Sequence, residues 1–443
     1  MNDLVFLHDS FDKLRADLLR SKLETCAILL TNAASKNEGT RLLVKQVELP
    51  SEGAYAERTQ YSAQLKPEYI APLVKRAKVQ RQALVFVHTH PGATSTPHFS
   101  PIDDRGEQVL EKFLKMREVA PSHAALVLGP DGCSARLLNS NIPVRVIQVG
   151  VNLDVIYDPI DPDANDPIFD RQVRAFGQQG QEILKKLTIG IVGLGGTGSV
   201  VAQQLAYLGV EKYLLVDPDN VEASNLNRLV GTTPTDTGKS KVGIAERYIK
   251  SIRPYAKVVA VQGSVLDAKT ARMLVDTDFF FCCTDSHGSR AVLNQLAYQY
   301  FLPCIDMGIS ISSKKSTVTH ITGRVQMLSP GLACLTCAGL LDADAIRYDL
   351  MSSYQRQTDP YFIGNGQPEP AVISLNSTMA SLAVTMFLGA AIGIPSEARY
   401  QIYNGMAGKI RIITGIADQK CIVCSRLGAL GRGDEWPLPA RQA

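Results

Sequence analysis

The residues best suited to chemistry in this 443-residue chain fall into three groups. Cys334 and Cys337 form one Cys-x-x-Cys pair and Cys421 and Cys424 another, the spacing with which four thiolates close a tetrahedron around zinc. About 80 residues lie between the pairs. Such a metal would tie the end of the chain back to an earlier segment as a structural staple, with no position left for water. The second group packs three of the seven histidines, His88, His90 and His98, just ahead of Ser100 and Asp103. Two histidines one residue apart at the end of an apolar strand, with a carboxylate some dozen residues on, can hold zinc through His88, His90 and Asp103. The fourth position stays open to water, as hydrolysis requires. The third is a glycine-rich turn. The apolar run Ile189–Val192 reads as a buried strand, Gly193, Gly195, Gly196 and Gly198 as a tight turn, and Ser199–Leu208 as a helix. Glycine lets the backbone approach phosphates closely, with the amides and the positive helix end facing the negative charge. A second strand, Tyr213–Val216, ends in Asp217, about 20 residues downstream, where a carboxylate accepts hydrogen bonds from ribose hydroxyls.

A glycine turn followed by an acid also describes a nicotinamide dehydrogenase. The continuation separates the two readings: Asp217-Pro-Asp219, then Ser224-Asn225-Leu226-Asn227-Arg228, then Gly238-Lys239-Ser240-Lys241, then Cys283-Thr284-Asp285 with Arg290. Asp285 follows the apolar stretch Asp278–Cys283 and so stands at the carboxyl edge of a parallel sheet, where ligands of such sheets bind. From about Arg171 to Cys424 this set resembles the adenylation domain of the HesA/MoeB/ThiF superfamily. That fold is shared by ubiquitin-activating enzymes and bacterial activators of ubiquitin-like sulfur carriers. The resemblance implies a Rossmann-like α/β domain with a parallel-type sheet that joins a carboxylate to the α-phosphate of ATP. It places the four glycines, Asp217, Asp219 and Asn225 around the nucleotide, Arg228 and Lys241 on the phosphates, and Asp285 on Mg²⁺. Asp170-Arg171-Gln172-Val173 resembles the start of that domain, where an arginine crosses a two-fold homodimer to the partner's ATP; Arg171 matches it. The resemblance also assigns a structural zinc to the four cysteines. For Arg171 and Lys239 a solvated helix face is the alternative.

The histidine group, Val85-Phe-Val-His88-Thr-His90-Pro-Gly92 with Phe99-Ser100-Pro-Ile-Asp103, resembles the JAMM motif of JAB/MPN metallopeptidases, which cut peptide or isopeptide bonds after ubiquitin-like proteins. The likeness implies a second zinc on His88, His90 and Asp103, Ser100 as oxyanion donor, and Glu24 as the base that deprotonates the water zinc activates. The gap from His90 to Ser100 is two residues longer than in the best-known members, and His98 is a competing ligand. A structural domain in which His88 and His90 merely cap a strand is the alternative.

These sites require two α/β domains. Expected in the first are helices at Phe11–Leu23 and Asp104–Met116 and strands at Ala27–Thr31, Ala83–His88 and Ala124–Leu128. The boundaries read as a JAB/MPN-like domain over 1–152, a linker over 153–168, the adenylation domain over 169–428 and a flexible tail over 429–443. Tyr354–Pro370 reads as a loop over the active site, and Ser374–Ile392 as an apolar helix in a core or dimer contact. Ala338–Ile373 contains no cysteine, so the adenylate is expected to pass to an external nucleophile, such as the cysteine of a conjugating enzyme or a sulfur donor. Cys282 and Cys283 read as small core residues. A net charge of +3 without long basic runs argues against nucleic acid, and the lack of a signal-type segment argues for the cytoplasm and against a membrane. The functional expectation is activation of a ubiquitin-like protein, in a setting of bacterial conjugation operons that includes phage defence. The alternatives are adenylation of a sulfur carrier or small peptide, and a non-catalytic scaffold that binds ubiquitin-like proteins.

Overall fold

The computed structural model describes all residues except 121, 161–165, 315–316, 353–354, 357–369 and 443. The chain divides into one unit of Met1–Asp161 with Gly431–Trp436, and another of Pro162–Leu430 with Pro437–Ala443.

The first unit contains β1 (Asn2–Leu7), α1 (Ser10–Leu18), β2 (Cys26–Lys36), β3 (Gly39–Glu48), the hairpin of β4 (Tyr55–Arg58) and β5 (Ala63–Leu65), α2 (Pro67–Val79), β6 (Ala83–Thr89), α3 (Pro101–Met116), β7 (Ala124–Gly129), β8 (Gly132–Leu137), β9 (Val144–Val149) and β10 (Leu153–Tyr157). Eight strands form one mixed sheet in the order β10-β9-β1-β3-β2-β6-β7-β8. A bridge from Arg136 to Pro143 brings the β8 end back toward β9, so the sheet is nearly closed. Its central strands are apolar on both faces, as burial between two layers demands. Ala27, Leu29, Val85, Val87 and Leu126 pack with Phe11, Leu14 and Leu18 of α1. Their neighbours Ile28, Leu30, Leu84 and Ala125 face the other way, against Val74 and Ala77 of α2 and Leu114 of α3. Two boundaries need correction. The expected linker over 153–168 begins with β10, which pairs antiparallel with β9. The expected flexible tail is held in place: the Asn32 amide donates to the Gly431 carbonyl at 2.9 Å and the Ser35 N–H to Asp434 Oδ2 at 2.8 Å. Glycine there serves close approach, since a Cβ on Gly433 would lie 2.5 Å from the Ala33 carbonyl oxygen.

The second unit contains α4 (Asp170–Lys186), β11 (Thr188–Val192), α5 (Gly196–Leu208), β12 (Lys212–Val216), α6 (Lys241–Ile252), β13 (Lys257–Val261), α7 (Ala268–Met273), β14 (Phe279–Cys282), α8 (His287–Gln299), β15 (Cys304–Lys314), β16 (Thr317–Leu328), α9 (Ala343–Leu350), α10 (Ile373–Ala391), β17 (Tyr400–Asn404) and β18 (Lys409–Ile412). The sheet order is β13-β12-β11-β14-β15-β16-β17-β18. The parallel-type expectation holds from β13 to β15 and fails beyond, where β15 to β18 run antiparallel. Two residues separate β15 from β16, too few for the crossover that a parallel pair needs. The chain winds outward from β11 in both directions, leaving a switch point between β11 and β14. Phe279 and Phe281 of β14 pack edge-on against Phe387 of α10, with centroids 4.9 and 5.6 Å away. α10 is long and apolar enough to cross a membrane by length and composition, but half of it is buried, and it packs along α5, β15 and β16. Most of the loop expected over Tyr354–Pro370 lies outside the described residues.

Candidate functional site

Beyond the carboxyl ends of β11 and β14 opens a cleft of about 1100 Å³. Its wall is the glycine turn. Gly193 has φ +87°, a conformation that only glycine adopts without strain, and its amide donates to the Val216 carbonyl at 2.9 Å. At Gly198 a Cβ would lie 1.8 Å from the Gly193 carbonyl oxygen, so α5 seats against the turn only because no side chain intervenes. α5 starts at Gly196, three residues earlier than its apolar spacing indicates. Gly193, Gly195 and Gly196 line the cleft; Gly198 supports it from behind.

Asp217 is 4% exposed, and its two oxygens accept the Leu194 amide at 2.6 Å and the Asp219 amide at 2.8 Å. The carboxylate thus clips the turn to the end of β12, and each oxygen keeps a lone pair for a hydroxyl. Burial pushes its pKa upward against those amide bonds. Lys241 opens α6 and reaches Asp219 Oδ2 at 2.7 Å. Arg228 follows a short 3₁₀ turn over Ala223–Asn225, braced where Asn225 Oδ1 accepts the Glu222 amide at 3.2 Å. Its guanidinium donates to the Ser224 carbonyl at 2.5 Å and the Asn227 side chain at 3.3 Å. Asp285 lies exposed between β14 and α8, on the cleft lining. The structure therefore gathers Asp217, Asp219, Asn225, Arg228, Lys241 and Asp285 around one cleft. Arg171 is exposed on α4 and does not line it, and Lys239 turns to Asp236 at 2.9 Å. Cys282 is fully buried, whereas Cys283 lines the cleft, with burial holding its thiol well above the ordinary range.

The sequence points to Arg290 but not to two other lining residues, Arg324 and Asn376. Arg324 of β16 and Arg290 of α8 share the fully buried Asp306, Arg290 Nε at 3.2 Å and Arg324 through a short hydrogen bond. Asn376, buried in the apolar helix α10, also lines the cleft, and a polar side chain in that setting was its one signal. Asp306 and Arg324 carry no motif; the hairpin of β15 and β16 brings them together.

The four cysteines converge with all sulfurs within 4.8 Å of one another. Cys334 and Cys421 are 3.6 Å apart and Cys337 and Cys424 3.4 Å, close to the roughly 3.8 Å edge of a tetrahedron with Zn–S of about 2.3 Å. Amides of Cys337, Asp418 and Val423 each reach a sulfur at 3.4 Å, the polarity that thiolates need. The donor set fits a structural zinc.

In the first unit, His88 and His90 end β6 while Ser100 caps α3 and Asp103 sits in its first turn. His88 Nε2 lies 3.2 Å from His90 Nε2 and 3.1 Å from Asp103 Oδ1, and His90 Nε2 lies 3.6 Å from Asp103 Oδ2. The Ser100 amide donates to Asp103 Oδ2 at 2.6 Å, and Ser100 Oγ accepts the Asp103 amide at 3.3 Å, leaving the hydroxyl proton uncommitted. Glu24 Oε1 is 3.7 Å from His90 Nε2; Arg58 Nε donates to the Glu24 carbonyl at 3.0 Å and anchors it to the β4–β5 hairpin. Three donors about 3 to 4 Å apart fit a zinc that keeps one position free, with a buried carboxyl beside it. His98 is exposed and stands outside the cluster.

The ThiF family matches residues 169–423. The molybdopterin-synthase adenylyltransferase of Escherichia coli (strain K12) is 27% identical over 261 residues, 58% of this chain and 96% of that protein. Ubiquitin-like modifier-activating enzyme 5 of Drosophila willistoni is 29% identical over 170 residues, 35% of this chain and 40% of that protein. The chain thus spans about two fifths of the latter's length. Among solved structures, Escherichia coli MccB with MccA-N7isoASN superposes with a TM-score of 0.48 and 20% identity, covering 59% of this chain and 76% of that one. With more than half of its length matched, and with the glycine turn, cations and carboxylate meeting in one cleft, the chain belongs to the ThiF family as an adenylyltransferase of the ThiF/MoeB type.

Proposed function

We propose that the second unit adenylates the C-terminal carboxylate of a ubiquitin-like protein. The carboxylate oxygen attacks the α-phosphorus of ATP, the bond to the β-phosphate breaks, and pyrophosphate leaves, so the enzyme must stabilise charge on the departing phosphates. The observation that carries the reading is the convergence of Arg228, Lys241 and Asp285 on the cleft that the glycine turn walls, with room for a nucleotide and a peptide tail. Asp217 orients the ribose, the amides of the turn and the start of α5 receive phosphate oxygens, and Arg228 and Lys241 neutralise the leaving group. Lys241 exchanges its bond to Asp219 for one to phosphate. Mg²⁺, held by Asp285, supplies further charge neutralisation when bound. Arg171 acts across a two-fold dimer, and the adenylate passes to a cysteine of a conjugating enzyme. Pyrophosphate exchange that requires both ATP and a ubiquitin-like tail tests this; exchange that survives Asp285→Ala overturns it.

One observation favours a second substrate class. The likeness to the molybdopterin-synthase adenylyltransferase covers 96% of that protein, which suits a sulfur-carrier substrate. Thiocarboxylate formation rather than transfer to a cysteine acceptor distinguishes it.

For the first unit we propose a zinc peptidase of JAB/MPN type that trims precursor tails or removes conjugates. Zinc on His88, His90 and Asp103 would acidify water, Glu24 would take the proton, and Ser100 would donate to the oxyanion. The clustering of the five side chains supports this reading. Cleavage of a tail-extended ubiquitin-like precursor tests it, and Glu24→Gln should abolish cleavage without releasing metal.

A further inference from the structure

Beyond the nucleotide cleft, the sheet of the second unit continues as an open face. In antiparallel strands, paired residues point to the same side. The pairings Gly308–Arg324–Ile402–Arg411 and Ser310–Thr322–Asn404–Lys409 therefore each run across β15, β16, β17 and β18 on one face. Arg324 and Ile402 line the cleft, so the face that carries Arg411 and Lys409 is the continuation of its wall. α10 covers the opposite face, where a Cβ on Gly323 would strike the Met379 sulfur at 2.1 Å. On the cleft side Thr322, Asn404, Lys409 and Arg411 are all exposed.

The charge of this face is one-sided. Among their described residues, β15 to β18 contain a single acid, Asp306, which Arg290 and Arg324 already share. Against it stand Lys314, Arg324, Lys409 and Arg411, with His320 on the same face through its pairing to Ser312. Among the described residues Lys409 and Arg411 make no ion pair. The bland alternative, a solvated basic edge, does not account for the alignment of both cations with residues of the cleft lining.

Resting on the proposed adenylation of a C-terminal carboxylate, we infer that β15–β18 form a docking platform for an acidic, extended segment of the substrate, and that Lys409 and Arg411 select it. The position of the acids follows from the sheet. On the proposed reading the α-phosphate would sit near the end of β14, and β18 is four strand spacings away, about 19 Å at about 4.8 Å each. An extended chain covers that in about six residues at about 3.3 Å each. The acids that meet Lys409 and Arg411 therefore lie about five to seven residues before the terminal carboxylate. Charge complementarity selects this occupant, and the extended form follows from the pleated face it crosses.

The test uses the full chain and three ten-residue peptides that end in Gly-Gly, with glutamate, serine or lysine at the fifth to seventh positions from the end. ATP–pyrophosphate exchange is measured with each. The acidic peptide should show a KM about tenfold below the serine peptide at equal kcat, with the lysine peptide weakest, and the spread should shrink as salt rises. A Lys409→Glu, Arg411→Glu variant should invert the order, and Lys409→Ala, Arg411→Ala should flatten it, while ATP affinity is unchanged. Equal KM values for the three peptides, or an order that survives charge reversal, overturn the platform. Exchange with none of them, while calorimetry shows ATP bound, overturns the adenylation of a tail and the platform with it. A nucleic-acid oligomer that binds through Lys409 and Arg411 without any discrimination among the peptides would assign the face to that partner and likewise overturn the proposal.

Discussion

Gly195 provides a sharp test of the phosphate cradle because the protein itself leaves it free. Its φ is −75°, accessible to any residue, and a Cβ built there meets no atom within 4 Å. Gly195→Ala should therefore leave the fold intact, with an unfolding midpoint within about 1 °C of the parent, since such a change is within about 0.5 kcal/mol. The methyl group would enter the space that the phosphates are proposed to occupy, disturbing one charge-assisted hydrogen bond at about 1.5 to 3 kcal/mol. ATP should bind about 10- to 100-fold more weakly by isothermal titration, and pyrophosphate exchange should fall in step. Gly198→Ala is the contrast. Its Cβ would overlap the Gly193 carbonyl oxygen at 1.8 Å, so backbone must shift, costing about 1 to 3 kcal/mol of stability as well as ATP affinity. Wild-type ATP affinity in Gly195→Ala would refute the placement of phosphate at this turn. Equal destabilisation of both variants would refute the geometry behind it.

Other features of the structure can be tested in the same way. Metal analysis should find about two zincs per chain, falling to about one in a His88→Ala, His90→Ala variant; one in both would empty the site in the first unit. Cys421→Ser should release the other zinc and lower stability by several kcal/mol, on the order of what a structural zinc contributes, and an unchanged melting curve would argue against a staple. His123 accepts the Leu84 amide through Nδ1 at 3.0 Å, and burial pushes its pKa down to about 4. Its folded value lies below the unfolded value of about 6.5, so its contribution is complete above that pH and lost as pH falls toward 4, by up to about 3 kcal/mol. Denaturant titrations at pH 7 and 4.5 should show a smaller drop in His123→Gln than in the parent; equal drops would sink this account. Asp306→Asn should loosen both Arg290 and Arg324 and raise the KM for the peptide more than that for ATP; a selective loss of ATP binding would contradict the placement of this pair beyond the phosphates.

The parts of the structure legible in the sequence are those whose chemistry is local. The glycine turn, the strand that ends in Asp217 and the two Cys-x-x-Cys pairs each put their signal within a few residues, and the observed elements begin and end within a few positions of expectation. Five of the eight strands in the first unit's sheet, β1, β3, β8, β9 and β10, were not legible. β3 opens its buried stretch with the fully buried Arg41, ahead of an apolar run of only three residues, and Arg41 pairs with Asp3 of β1 at 3.4 Å, a partner 38 residues away. β8 and β10 are short and mix polar with apolar residues, so only pairing with neighbours defines them. At the candidate site, Asp285 follows an apolar strand, and Arg228 and Lys241 stand in the motif segment beyond the strand that ends in Asp217. Arg324 and Asp306 have no such signal, because strand register across a hairpin makes them neighbours and no spacing in the chain encodes it.

The chain lends six residues, Gly431–Trp436, to the first unit, although the residues on either side belong to the second. Severed within 161–165, the amino-terminal piece would leave Asn32, 3% exposed, without the Gly431 carbonyl it binds, and the carboxyl-terminal piece would carry the missing strip. The halves are therefore ill suited to shuffling as independent modules. They have the makings of a split reporter in which a synthetic 431–436 peptide completes the amino-terminal fragment.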